Sequence, residues 1–175
     1  MKTTILFLFI IPALFFFAGG SAFGQDTMAP ANTNVTYPGP DGVTLEGYLA
    51  VPAGSGRQPG VLMIHEWWGL NHDTALLADA LAEEGFVVLA PDAFRGSVAR
   101  TPSEARRQIS ETPGEQIAAD LDAALEYLKA HGRSDPDRIA SLGFCFGGTQ
   151  SMYLGTRAPE LAAVVIFYGS GPIQD

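Results

Sequence analysis

A glycine-rich turn around the single cysteine constrains this chain more than any other feature. Residues 143–148 read Gly-x-Cys-x-Gly-Gly and directly follow an apolar segment at 138–142. This pattern is typical of a nucleophile elbow, in which the chain turns sharply from a strand into a helix and small neighbours make room for a strained nucleophile. The amides of the following helix favour the thiolate form, so Cys145 is the predicted nucleophile. The alternative is an inert cysteine buried between a strand and a helix.

The spacing of apolar residues predicts strands that alternate with helices. Strands are predicted at residues 60–64, 86–90, 139–142 and 162–168, a hairpin at 34–51, and helices at 71–84, 116–130 and 147–157, with 91–108 irregular. In the first helix the apolar side chains at helical spacing are Leu76, Leu77, Ala80 and Leu81. This alternation predicts an α/β fold with a mostly parallel sheet and helices on both faces.

Composition and the amino terminus limit the classes of function. The net charge of −9 argues against nucleic-acid partners, and the sequence lacks a dinucleotide-binding glycine motif and a P-loop. Residues 1–24 are typical of a signal peptide cleaved before Gln25, followed by a flexible lead-in at 25–34 and one domain at 35–175. This predicts a secreted or periplasmic protein with no stable membrane insertion after cleavage. An uncleaved anchor is the alternative.

A second group of functional residues follows the strand at 60–64. Because the carboxyl ends of parallel strands meet at one edge of a sheet, this segment and the cysteine are expected to face one cleft. Backbone amides of Trp67 and Phe146 are the candidate oxyanion-hole donors. Glu66 can hold the thiol protonated or accept its proton, although it can also be an ordinary solvated glutamate. Trp67 and Trp68 either line an apolar pocket or cap the core.

No metal or cofactor is predicted, because the three histidines do not form a ligand motif. His65 and His72 are not spaced as His-x-x-x-His, and His131 is expected at the end of a helix. None of the three histidines lies where the general base for the nucleophile of an elbow is expected.

Four segments together resemble the dienelactone hydrolase family of α/β-hydrolases. They are residues 65–71 (His-Glu-Trp-Trp-Gly-Leu-Asn), 90–92 (Ala-Pro-Asp), 135–139 (Asp-Pro-Asp-Arg-Ile) and 143–148. The resemblance implies Cys145 as nucleophile, Glu66 as the residue that gates its ionisation, and Trp67 and Phe146 as the oxyanion hole. It implies hydrolysis of a small lactone or activated ester through a thioester, with Arg95 near the family's carboxylate-binding arginine.

The resemblance also implies a triad Asp and His well beyond the nucleophile, whereas this sequence ends at Asp175. We therefore expect a truncated domain that lacks the last strands and helix, with activity that is weak or absent. The strand at 162–168 would then be an apolar edge able to self-associate. Two other functions stay open: a catalytically inactive remnant that binds a small molecule or a protein, and a serine-like esterase or peptidase with cysteine at its elbow.

Overall fold

The computed structural model describes residues 4–6 and 28–171, which form a mixed sheet with helices on both faces. The strands are β1 (Thr4–Leu6), β2 (Val35–Pro38), β3 (Thr44–Ala50), β4 (Gln58–Ile64), β5 (Val87–Pro91), β6 (Ser134–Phe144) and β7 (Ala163–Phe167). The helices are α1 (His72–Glu83), α2 (Pro102–Glu111), α3 (Gly114–Ala130) and α4 (Phe146–Arg157).

The strand order β1-β7-β6-β4-β5-β3-β2 places the two segments expected to form the site at the middle of the sheet. From β1 to β5 in that order the pairing is parallel, while β2 and β3 form an antiparallel hairpin. Strand β4 lies beside β6 with Ile64 opposite Gly143. The predicted α/β fold, its largely parallel sheet and the hairpin are therefore confirmed.

The two sheet faces are covered by helices of different character. Helix α3 packs with the apolar face that the sequence predicts, including Leu121, Leu125 and Leu128, which are all buried. Helix α1 differs, because its buried residues are the alanines Ala75, Ala78 and Ala82.

The apolar side chains that the sequence places at helical spacing in α1 do not form its buried face, since Leu76 and Leu77 are 49% and 37% exposed. Small side chains let this helix lie close to the sheet, so the leucines at the neighbouring positions turn outward.

Helix α2 lies in the segment that was predicted to be irregular. It begins with a capping box, in which the Thr101 hydroxyl accepts from the Glu104 amide and the Glu104 carboxylate accepts from the Thr101 amide. Pro102 occupies the first turn. The capping signal was present in the sequence as Thr-Pro-Ser-Glu. The segment was nevertheless predicted to be irregular because its composition is polar.

Strand β7 is not the edge of the sheet, which corrects the expectation of an exposed edge at 162–168. Thr4–Leu6 pairs in parallel with Ala163, Val164 and Val165. Without a neighbour on this side, the N–H and C=O groups of β7 would be a template for another strand, and residues 4–6 supply that strand. The remainder of the predicted signal peptide lies outside the described residues. No helix in the described ranges is long and apolar enough to cross a bilayer.

Candidate active site

The backbone of Cys145 is strained, as expected for an elbow. Its φ of 52° and ψ of −115° lie outside the regions that non-glycine residues ordinarily adopt. The Cys145 amide donates to the Phe167 carbonyl at 2.9 Å, and its own carbonyl accepts from the Thr149 amide at 3.1 Å. These bonds to β7 and α4 hold the half-buried sulfur-bearing residue between strand and helix in this conformation.

Two glycines around the nucleophile leave no room for a side chain. A Cβ on Gly143 would overlap the Gly147 carbonyl oxygen, and a Cβ on Gly147 would overlap the Ile64 carbonyl oxygen. The Gly147 Cβ would also lie 2.5 Å from the His65 carbonyl oxygen. The first turn of α4 therefore packs backbone against backbone on the end of β4.

The two predicted oxyanion-hole amides have unused hydrogens. Phe146 is the first residue of α4, so its N–H has no acceptor within the helix. Among residues 28–171 no acceptor receives a hydrogen bond from Phe146 N–H or Trp67 N–H. Since β4 and β6 end side by side, both donors lie at the same edge of the sheet. Two such N–H groups can bind an oxygen that becomes negatively charged.

Glu66 has a partner that the sequence did not indicate. The Tyr168 hydroxyl donates to Glu66 Oε1 at 2.7 Å, across 102 residues of sequence. Tyr168 has a φ of 44° and is 71% exposed, with its hydroxyl directed at the carboxylate. Partial desolvation of that hydroxyl, the hydrogen bond to Glu66 and the nearby charges of Glu66 and Cys145 raise the pKa of Tyr168. Its position directly after β7, at the carboxyl edge, was the available signal.

His65 is part of the interior and does not serve as a free base. It is 2% exposed, its Nδ1 lies 2.7 Å from the Glu66 carbonyl oxygen, and its Nε2 lies 3.2 Å from the Ala93 amide nitrogen. The rings of Phe94 and Phe146 lie 5.2 and 6.0 Å from its own. Burial lowers the pKa of His65, so the ring is neutral at neutral pH.

A cleft of about 250 Å³ opens beside Glu66. Its walls include Trp68, Phe144 and Tyr168, with Asp73 at the start of α1. The Trp67 ring packs edge-on against Trp68, 5.1 Å between centroids, and does not line the cleft. The structure thus brings Glu66 and Trp68 to one cavity whose lining includes both apolar and acidic side chains, whereas Cys145 and Phe146 are not among the residues that line it.

Arg95 lies elsewhere. Its guanidinium forms two hydrogen bonds of 2.8 Å with the carboxylate of Asp120, whose side chain is 4% exposed. Arg95 borders a separate cavity of about 140 Å³ with Glu46 and Asp92. The structure does not place it in the Glu66 cleft. In the described ranges, no three His, Cys, Asp or Glu side chains lie close enough together to hold a metal ion.

Comparison with known proteins gives one consistent result. The sequence model of the dienelactone hydrolase family matches residues 45–175. A putative carboxymethylenebutenolidase of Aquifex aeolicus is 36% identical over 136 residues, which are 74% of this chain and 58% of that protein. A probable 2-oxo-3-(5-oxofuran-2-ylidene)propanoate lactonase of Bradyrhizobium is 34% identical over 134 residues, 75% of this chain and 54% of that one.

A solved structure shows the same likeness. The putative dienelactone hydrolase of Klebsiella pneumoniae superposes with a TM-score of 0.70 at 28% identity, covering 81% of this chain and 61% of that one. The chain therefore spans about three fifths of the length of these proteins.

Proposed function

Since the chain belongs to the dienelactone hydrolase family, as the match over residues 45–175 shows, we propose that it hydrolyses a small lactone or activated ester with Cys145 as nucleophile. The observation that carries the proposal is the strained Cys145 beside two amides with unused hydrogens. A strained nucleophile at the same sheet edge as two free N–H donors supports a site for acyl transfer, which needs both a nucleophile and donors for the oxyanion.

The first half-reaction follows from this arrangement. The Cys145 thiolate attacks the substrate carbonyl carbon, a C–S bond forms, and the carbonyl electron pair moves onto oxygen. The N–H groups of Trp67 and Phe146 bind that oxyanion. When the pair returns, the C–O bond to the alcohol breaks and a thioester remains. The leaving alkoxide takes a proton from water, and a second water molecule then cleaves the thioester, which releases the carboxylic acid and regenerates the thiol.

The second half-reaction needs a base that activates water. His65 cannot serve, because both of its ring nitrogens are engaged and the ring is buried. His131 lies at the carboxyl end of α3, remote from the carboxyl edge of the sheet. We assign the step to the triad Asp and His, which the family resemblance places well beyond the nucleophile and past residue 175.

Glu66 and Tyr168 form the proposed gate for the thiol. The hydrogen bond from Tyr168 holds the Glu66 carboxylate in the cleft. A carboxylate free to approach the sulfur would favour the thiol over the thiolate, because two negative charges would otherwise lie close together. Holding Glu66 on Tyr168 therefore keeps Cys145 available for attack.

The cleft favours neutral substrates. Glu66 and Asp73 contribute carboxylates, and no lysine or arginine is found among the described residues that line it. Trp68 and Phe144 provide apolar surface for an acyl or aromatic group. We therefore propose a neutral ester or lactone as substrate, in preference to one that carries a carboxylate.

Acylation by p-nitrophenyl acetate tests the function. We expect a burst of one nitrophenolate per Cys145 and an intact-mass gain of one acetyl group, both absent in Cys145→Ala. Cys145→Ser is the matched control, since it keeps the elbow and changes only the nucleophile. A folded wild-type protein that is neither acylated by the ester nor alkylated by iodoacetamide near neutral pH would refute the hydrolase and favour a binding role.

We also propose export, with residues 1–24 as the signal peptide and a secreted or periplasmic destination. Cleavage before Gln25 would remove β1 and leave β7 unpaired, which would allow two chains to associate through it. Expression with the native amino terminus, followed by intact mass of the extracellular or periplasmic fraction, tests this. Recovery of the uncleaved chain in the membrane fraction would contradict it.

A further inference from the structure

The orientation of the Trp67 amide is set by a hydrogen bond on the opposite side of its peptide group. Trp67 N–H and the Glu66 carbonyl belong to one peptide unit, and the described chain contains no cis peptide. In a planar trans peptide the N–H and C=O point in opposite directions. Whatever binds the Glu66 oxygen therefore aims the Trp67 hydrogen. That oxygen accepts from His65 Nδ1 at 2.7 Å and from the Gly69 amide at 3.2 Å.

The partners of His65 determine where its proton lies. The Ala93 amide can only donate, so Nε2 must accept from it. A neutral imidazole with an acceptor at Nε2 carries its hydrogen on Nδ1, and this hydrogen is the one donated to the Glu66 oxygen. The ring can neither rotate nor exchange its two nitrogens freely, because Phe94 and Phe146 pack against it.

The same ring also contacts the other oxyanion donor. Phe146, whose amide forms the second half of the proposed hole, lies nearly parallel to the His65 ring, with 19° between the two planes. His65 thus holds the Glu66–Trp67 peptide by a hydrogen bond to its carbonyl oxygen and packs against the side chain of Phe146. One buried side chain therefore contacts both segments that supply the proposed oxyanion hole.

We propose that His65 is a positioning residue for the oxyanion hole: its Nδ1–H fixes the Glu66–Trp67 peptide so that Trp67 N–H faces the site of the developing negative charge. The inference rests on the proposed function, since it assigns His65 a part in acyl transfer by Cys145. It gives His65 no proton-transfer step.

Two reactions of the same sulfur separate this role from a merely structural one. Acylation by p-nitrophenyl acetate passes through a tetrahedral oxyanion, whereas alkylation by iodoacetamide displaces iodide and forms none. Loss of one oxyanion-hole donor typically costs about 10²–10³-fold in rate. We expect His65→Leu to slow single-turnover acylation by about 100-fold while alkylation stays within about twofold of wild type.

His65→Asn is the matched variant, because an asparagine amide nitrogen can occupy the place of Nδ1 and donate to the Glu66 oxygen. It should recover most of the acylation rate that His65→Leu loses. A folded His65→Leu protein that is acylated at the wild-type rate would overturn the proposal. Equal losses in both reactions, or no recovery in His65→Asn, would also overturn it, since these indicate general disruption.

A measurement on the unmodified chain covers the case in which His65→Leu does not fold. In a ¹⁵N-labelled sample the His65 imidazole should show a slowly exchanging proton on Nδ1 and none on Nε2. A proton on Nε2 would overturn the proposal. A wild-type protein that is neither acylated nor alkylated would instead refute the hydrolase function, and the imidazole spectrum would still report on the position of the proton.

Discussion

Replacement of Gly147 by alanine is expected to damage acyl transfer through backbone displacement alone. Gly147 lies in the first turn of α4 at a φ that alanine can adopt, so the added methyl group introduces no torsional strain. Its Cβ would nevertheless lie 2.5 Å from the His65 carbonyl oxygen and closer still to that of Ile64. These are backbone atoms and cannot rotate away.

The size of the effect follows from these distances. Ordinary contact for a Cβ begins near 3.4 Å, so the end of β4 and the start of α4 must separate by about 1 Å. The amides of Trp67 and Phe146 lie on opposite sides of that contact and would move apart by a similar amount. A displacement of about 1 Å at a reacting site can cost about 100-fold in rate. Overpacking of this kind typically costs about 1–3 kcal/mol in the free energy of unfolding.

The assay is the acylation burst with p-nitrophenyl acetate, combined with urea unfolding followed by tryptophan fluorescence. Gly114→Ala is the control, because it makes the same chemical change in the first turn of α3, where a Cβ would have no neighbour within 4 Å. That variant should acylate normally and be at least as stable as wild type. If Gly147→Ala matches Gly114→Ala in both measurements, the steric argument and the proposed placement of the oxyanion hole are wrong.

Three further outcomes are expected. Tyr168→Phe releases the Glu66 carboxylate, so iodoacetamide should alkylate Cys145 several-fold more slowly at neutral pH, and adding Glu66→Gln should restore the rate; an unchanged rate in Tyr168→Phe would contradict the gate. Arg95→Ala leaves the Asp120 carboxylate buried without its partner and should lower the free energy of unfolding by about 2 kcal/mol, less in the Asp120→Asn background; additive losses in urea melts would contradict the coupling. Burial lowers the pKa of His65, whose neighbouring charged groups are Asp92 and Glu66. The contribution of the neutral ring to the free energy of unfolding is therefore complete above about pH 6.5 and is lost as pH falls toward the lowered pKa, by up to about 1.4 kcal/mol per pH unit. His65→Asn should flatten that part of the plot of unfolding free energy against pH, and an unchanged slope would contradict a neutral buried ring.

The sequence was most informative where a pattern is required by backbone geometry. The glycines around Cys145 predicted the strand–elbow–helix sequence, and the structure shows that a side chain at Gly143 or Gly147 would overlap backbone atoms. The apolar face of α3 was equally clear, since burial of leucines at helical spacing leaves few alternatives. These features depend on local pattern, which one sequence contains.

What the sequence could not supply were contacts between distant segments. Nothing near Glu66 indicated that the Tyr168 hydroxyl would reach it, and nothing near Arg95 indicated the buried Asp120. The exposed leucines of α1 have the same origin, because the choice between an alanine face and a leucine face depends on how closely the helix approaches the sheet. Helix α2 is a different case, since its capping box was present and only its polar composition argued against it.

The loop that contains Trp67 is held by partners remote in sequence, and this has a consequence for the folding pathway. The His65 ring meets the Ala93 amide 28 residues away, and the Trp67 carbonyl accepts from the Gln108 side chain 41 residues away. Closing such long loops costs chain entropy that is recovered only when the surrounding structure is in place. The sheet can therefore form while this loop is still unrestrained, and the loop becomes ordered only when the connection carrying α2 docks. In a refolding experiment, acylation of Cys145 by p-nitrophenyl acetate should become detectable only after the secondary structure has been regained.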